Sequence, residues 1–362
     1  MDENKIIESI NKLFLKTTNN YIFIYTPPKV GSTTLVTSLR VSLNKTYNII
    51  HIHDETMLRV LTGINDVKII DIIKYLSNIG KNVFVIDIYR TPVERKMSEY
   101  FEKISPYHFN NSDENLCKYS IKRISDRFNK IFPYIENSDH YFENFGIDNP
   151  IPFDFDKKYT IQNINNVKYI KLRLCDSHMW DSILSTIFNI DIIIIHDYKT
   201  EDKGIGQLYN QFKNEYKLPS NFINLIKENK YLKFYYNETE RNKYIDTWYS
   251  KLCNEVIPYT FDEYKFYMNI CLENQYINDI QIDHYIDNGC FCKYCTEKRQ
   301  EIYFKYKAGD RKFNKIIHRE IINEVKNEKI NEINNKFKNI INKRLSKNKF
   351  RSNQFKINVL YK

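Results

Sequence analysis

Residues 21–43 read "YIFIYTPPKVGSTTLVTSLRVSL", and this stretch decides the fold. Tyr21–Tyr25 is aromatic and β-branched without a charge, the pattern of a strand buried on both faces. Pro27 and Pro28 end it, since neither has an N–H for a ladder. Ser32–Leu43 then reads as a helix. Between the two lie Lys29, Gly31 and the hydroxyls of Ser32, Thr33 and Thr34. Gly31 lets backbone approach a ligand, and a helix start offers N–H groups that have no intrahelical acceptor. Lys29 adds a positive charge at the same point, so the stretch has the layout of an anion-gripping loop. The plainer reading is a strand-to-helix turn with Ser32 as N-cap. The common nucleotide-binding order, Gly-Lys-Ser/Thr, is not met, because Lys29 comes two residues before Gly31. An ordinary NTP kinase or GTPase is therefore disfavoured.

Working outward, "YNIIHIH" (47–53) reads as a second strand and "DVKIIDIIKYLSNIG" (66–80) as an amphipathic helix stopped at Gly80. "NVFVIDIYR" (82–90) is the strongest strand, followed by a helix from Pro92 to about Ile104. A helix near 115–132, an aromatic-rich irregular stretch (133–157), a strand at 167–174 and a helix containing Trp180 come next. Alternating strands and helices of these lengths predict an α/β fold: a P-loop-like parallel sheet flanked by helices. Ligands in such sheets sit beyond the carboxyl ends of the strands, where the loops after Tyr25, His53 and Arg90 are expected to converge.

The chain has no run of 18 apolar residues, so no membrane span is expected. Its start, "MDENKIIESINKLFLKTT", is charged from residue two and puts Ile6, Ile7, Ile10, Leu13 and Phe14 on one helical face, unlike a secretory leader. A soluble, intracellular (cytoplasmic) protein is the expectation. Its seven cysteines, an odd number, argue against a disulfide framework. Of a net charge of +10, residues 301–362 carry 17 Lys and Arg against 6 Asp and Glu, leaving the body about −1. The expected division is 1–255, an α/β domain; 256–300, a Cys-containing segment; and 301–362, a basic tail in a mainly helical C-terminal extension.

A second motif, "YRTPVERKMSEYF" (89–101), follows the third strand, with Thr91 and Pro92 suited to N-cap and N1. Arg90 closes the strand and Ser98 lies eight residues on, so the two can grip one phosphate from two sides. Taken singly, each is a surface Arg or an ordinary helix Ser. Together, "TPPKVGSTT" and "YRTPVERKMSEYF" resemble the two cofactor motifs of sulfotransferases, which use 3′-phosphoadenosine 5′-phosphosulfate as sulfuryl donor. The likeness is nearest the carbohydrate and capsular-polysaccharide branch and covers roughly residues 18–252. It implies that Lys29, Gly31, Ser32, Thr33 and Thr34 hold the 5′-phosphosulfate end, and Arg90 and Ser98 the 3′-phosphate. It implies no metal for the chemistry and a hydroxyl acceptor, most plausibly on a carbohydrate. The chain departs from the pattern at Cys175–Asp176, where an acidic residue directly after the strand is expected, and the Gly-rich adenine-side motif is not evident.

In-line sulfuryl transfer needs positive charge at the donor and a base for the acceptor hydroxyl. Lys29 is the expected electrostatic catalyst. The family's base, a His or Glu, falls in "HIHDE" (51–55): His51 and His53 share a sheet face, His53 lies nearer the carboxyl edge, and Glu55 is the runner-up. Alternatively His51 is a core residue and His53 merely ends the strand. Farther on, "HYIDNGCFCKYC" spaces Cys290, Cys292 and Cys295 as C-x-C-x2-C. With His284, or else His318 or Cys271, these could hold a structural Zn²⁺, or they are reduced thiols in a tight turn. The tail is a solvated helix or a contact for a polyanion. The rival to a sulfotransferase is thus a nucleic-acid- or polyanion-binding protein with a basic tail and zinc knuckle on a vestigial nucleotide-binding fold. A phosphotransferase stands third.

Overall fold

Alternate residues of each strand go to opposite faces of one sheet, and the core divides accordingly. The computed structural model describes residues 2–14, 18–43, 46–102, 104–109, 113–195 and 204–272. In these, β1 (Asn20–Tyr25), β2 (Asn48–Ile52), β3 (Asn82–Tyr89), β4 (Tyr159–Ile164) and β5 (Val167–Arg173) form a sheet of order β2-β1-β3-β5-β4. All neighbours are parallel except the antiparallel edge strand β4. The chain is therefore α/β with a mostly parallel central sheet flanked by helices.

One face carries Tyr21, Phe23, Val83, Val85, Val167 and Tyr169. It is covered by α1 (Glu3–Leu13), α3 (Glu55–Thr62) and α4 (Ile69–Asn78). The other face carries Ile22, Ile24, Phe84, Ile86, Ile88, Ile170 and Leu172, under α2 (Ser32–Leu43) and, after a 3-10 turn at Leu174–Met179, α9 (Trp180–Phe188). Seven of the eight β3 residues are buried, as a central strand with helices on both sides requires.

A third core gathers beyond the carboxyl edge. It is built on α5 (Pro92–Glu102), the π-helical turn Ile104–Phe109, the short α6 (Asp113–Leu116), α7 (Ile121–Ile131) and, after the one-turn α8 (His140–Glu143), α10 (Gly206–Glu215). It continues through α11 (Ile223–Lys227), α12 (Lys230–Tyr235) and α13 (Glu238–Tyr249), with two-residue strands β6 (Leu218–Pro219) and β7 (Leu252–Cys253) pinning the ends. Aromatic rings fill it: Phe128 alone meets Tyr100, Phe132, Phe212 and Tyr216 edge-on or tilted, with centroids 5.1–5.5 Å apart.

The elements that escape the periodicity reading include α3 and β4. Helix α3 is only eight residues, capped by the Asp54 side chain on the Met57 N–H and ended by Gly63 in the left-handed region. Strand β4 alternates weakly, "YTIQNI", and joins β5 through the two-residue turn Asn165–Asn166, with Asn165 at φ 52°. Ile7, expected on the buried face of α1, is exposed, and Ser9 is buried in that helix instead.

The chain divides into two units, Met1–Gln300 and Glu301–Lys362. The second, with the expected basic tail, lies outside the described residues, as do Cys290, Cys292, Cys295, His284 and His318. Near residue 256, where a boundary is expected, the chain continues in contact with α7. The Tyr259 N–H donates to the Lys130 carbonyl and Lys130 Nζ to that of Ile257, before α14 (Phe261–Leu272) begins. No helix among the described residues is long and apolar enough to cross a membrane.

Candidate functional site

The order β2-β1-β3 means that the chain leaves β1 to one side through α2 and returns to the other side as β3. The crevice between their carboxyl ends is the place where open α/β sheets bind ligands. Thr26–Gly31 crosses this crevice. The loop is held by the Thr26 N–H on the Ile52 carbonyl, by buried Val30, and by two left-handed residues, Lys29 (φ 66°) and Gly31 (φ 90°). Only glycine suits the second: a Cβ at Gly31 would stand 2.6 Å from Leu174 Cδ1 and 3.5 Å from the Trp180 ring. α2 then starts at Ser32, its first bond running from the Leu35 N–H to the Gly31 carbonyl.

Arg90, the last residue before α5's lead-in, donates from Nη1 to the Lys29 carbonyl at 2.8 Å. It thereby ties the loop after β1 to the end of β3. Lys29 Nζ pairs with Glu102 Oε2 at 2.7 Å. Ser98 lies one turn before Glu102 on the same face of α5 and is buried. Lys29, Arg90 and the Ser98 face of α5 are thus brought to one end of the crevice, with Gly31 and Ser32–Thr34 at the helix start beside them. Sequence reasoning did not single out Glu102, whose carboxylate lies where an anion would meet Lys29.

His53 lies just past β2. Its Nδ1 is 2.7 Å from the Thr26 carbonyl, which can only accept, so Nδ1 carries the proton and Nε2 keeps its lone pair. The His53 carbonyl in turn accepts from His140 Nε2 at 2.7 Å, and Asn144 Nδ2 donates to His140 Nδ1. The ring of His51 stands edge-on to that of His53, centroids 4.4 Å apart. Burial holds His53 below its ordinary pKa. The Thr26 bond and Asp54 oppose this, and the charges of His140 and Lys29 reinforce it. His53 is therefore neutral at pH 7 and competent to take a proton. Glu55 turns away to α4, where its two carboxylate oxygens accept from the Ile69 N–H at 3.1 and 3.3 Å. That contact explains Glu55 as a helix-capping group. Burial also raises its pKa, against the pull of the Ile69 bond.

Beneath the crevice lies an ionic cluster that the sequence reading passed over. Lys171 on β5 donates to Asp87 on β3 at 2.6 Å and to Asp139 at 2.5 Å, all three fully or almost fully buried. The other Asp87 oxygen accepts from Thr26 Oγ1 at 2.6 Å and the Ile88 N–H at 2.7 Å. Tyr235 donates to Asp139, and the Tyr141 N–H to Asp87. The lysine between them holds Asp87 ionised and below the usual carboxylate range, despite burial, which works to raise it. The signal was available: "VIDIY" sets Asp87 and "YIKL" sets Lys171 among apolar strand neighbours, and such charges are buried only in pairs.

At the end of β5, Arg173 forks onto Asp176 and Glu240 and donates to the Tyr235 carbonyl, bracing α13 against the sheet. Asp176 therefore serves Arg173, one residue beyond the position where an acidic group is expected. Among the described residues no group of three or more His, Cys, Asp or Glu is placed to hold a metal ion. No family model, no curated protein and no solved structure matches the chain.

Proposed function

We propose that the chain is a sulfotransferase that moves a sulfuryl group from 3′-phosphoadenosine 5′-phosphosulfate to a hydroxyl, on a carbohydrate by the likeness of its two motifs. The observation that carries the reading is the 2.8 Å bond from Arg90 to the Lys29 carbonyl, which joins those motifs at the sheet's switch point. Two cations, a glycine-tight turn and a helix start fit the charge and shape of a phosphosulfate. A neutral imidazole stands one loop away.

The donor supplies an activated sulfuryl group. Lys29 would stabilise charge growing on the sulfuryl oxygens and the leaving 5′-phosphate, with N–H groups and hydroxyls of Gly31 and Ser32–Thr34 around it. Arg90 and Ser98 would hold the 3′-phosphate. The acceptor oxygen forms its bond to sulfur as the bridging S–O bond to the phosphate breaks. The hydroxyl proton passes to His53 Nε2, leaving adenosine 3′,5′-bisphosphate. His53 supports the role of base better than Glu55, whose carboxylate is engaged with the start of α4.

Calorimetric titration with adenosine 3′,5′-bisphosphate tests this. Micromolar binding in the wild type, weakened by about 10–100-fold in Arg90→Ala, is the expected result. Absence of binding in the wild type overturns the reading, and steeply salt-dependent binding to RNA or DNA instead would favour a polyanion-binding protein.

A further inference from the structure

We infer that Asp87, acting through Thr26, is a positioning residue that fixes His53 as its Nδ1–H tautomer with Nε2 open to the crevice. For catalysis the inference rests on the proposed role of His53. As a statement about the imidazole it stands by itself.

Thr26 is held at three points. Its N–H donates to Ile52, continuing the β1–β2 ladder. Its hydroxyl donates to Asp87 Oδ1 at 2.6 Å and accepts from the Ile88 N–H at 3.1 Å. Its carbonyl takes the His53 Nδ1–H at 2.7 Å. The hydroxyl bonds set the plane of the Thr26 side chain against β3, and with the N–H bond they leave the carbonyl one direction to face. Thr26 is fully buried, so no water competes for it. Asp87 is immobilised in its turn by Lys171, which Asp139 holds from the far side. His53 thus ends a chain of fixed groups: Asp139, Lys171, Asp87, Thr26, His53. A histidine's tautomer follows the bond its other nitrogen makes, and here that bond is set two residues away, by a carboxylate that never meets the ring.

From the other side His140 donates to the His53 carbonyl, and it holds backbone rather than ring. The charged and titratable neighbours acting on His53 are Asp54, His140 and Lys29, with the His51 ring edge-on. None of these bonds Nδ1. A general base within this crevice needs a bare Nε2, and a free imidazole, which prefers its proton on Nε2, would present the wrong atom.

The test is ¹⁵N NMR of the ring nitrogens in the full chain at neutral pH, in wild type, Thr26→Val and Thr26→Ser. Wild type is expected to show His53 protonated at Nδ1 and bare at Nε2. Valine keeps the shape of Thr26 but removes the hydroxyl, and the Nε2–H form should become the major one; serine should restore the wild-type spectrum. With the donor and an accepting sugar, Thr26→Val should lower kcat by about 10²-fold at unchanged donor KM, the scale of a misplaced catalytic group. A wild-type spectrum with Nε2 protonated overturns the inference, even if the valine variant fails to fold. So does a valine variant whose tautomer matches wild type. A tautomer that moves as expected in a protein without sulfuryl transfer would leave the inference standing and sink the sulfotransferase reading instead.

Discussion

Arg90 spends one guanidinium N–H on the carbonyl of Lys29, so the residue proposed to grip one end of a ligand also braces the loop that grips the other. Truncation removes both actions. Arg90→Ala should weaken adenosine 3′,5′-bisphosphate binding by about 10–100-fold, the range of a lost charged hydrogen bond. Arg90→Lys should rescue little, because a point charge cannot bond the loop carbonyl and a phosphate with one planar fork. Calorimetry on the two variants reads this directly, and a lysine variant as tight as wild type would refute the bracing role.

Glu102 pairs with Lys29 at 2.7 Å. An anion bound at Lys29 as proposed would have to displace that carboxylate, so Glu102→Gln should tighten bisphosphate binding by up to about fivefold, the scale of one partly exposed ion pair. The gain should shrink as salt is raised. Weaker binding in Glu102→Gln would mean that the carboxylate orders the loop rather than competing with the ligand.

Gly31→Ala meets two penalties at once, a left-handed backbone and a Cβ 2.6 Å from Leu174 Cδ1. A loss of about 2–4 kcal/mol in unfolding free energy is expected. The double variant Gly31→Ala, Leu174→Ala should recover the steric part only. Urea unfolding of the pair separates the two terms.

His108 on the π-helical turn is buried against Tyr100, and burial, helped by Arg127, holds its pKa well below the ordinary 6.5. The folded protein refuses the proton that the unfolded chain accepts near that pH. Stability is therefore intact above pH 6.5 and falls as pH drops below it, by up to about 1.4 kcal/mol per unit for this one group. His53, shifted the same way, adds to the fall. His108→Phe should flatten the slope between pH 6.5 and 5 in chemical denaturation. An unchanged slope would place the acid sensitivity elsewhere.

The parallel sheet was legible because β1 is an apolar run and β3 is one broken only by Asp87, each bounded by clear punctuation, and Ser32–Leu43 is helical over the residues expected from sequence. Convergence of the loops after Tyr25, His53 and Arg90 followed from topology alone. What stayed hidden had no period to show. β4 is a half-buried edge strand with two asparagines after it, and α3 is too short to repeat its pattern. The partners of site residues were hidden for another reason: Glu102 meets Lys29 across 73 positions and Thr26 meets Asp87 across 61. Spacing rules, which work within one turn or one strand, do not reach so far. The contact of Glu55 with the start of α4 was hidden in the same way, because it crosses 14 positions.

Strand β4 also has a bearing on how the molecule assembles. With β5 it makes a hairpin across two residues, whereas the salt bridge joining β5 to β3 spans 84 positions. Closing a tight turn takes microseconds, and the long loop carries a far larger entropy cost. The hairpin is therefore expected to form first, with Lys171 hydrated until β3 docks and Asp87 and Asp139 close over it. Pulse-labelled hydrogen exchange during refolding should protect the amides linking β4 to β5 before those linking β5 to β3. Simultaneous protection would mean that the sheet forms in one step. In the ordered case Lys171→Met should leave the early protection unchanged and alter only the docking, which makes the buried charge a lock on the last closure of the sheet rather than a seed for the first.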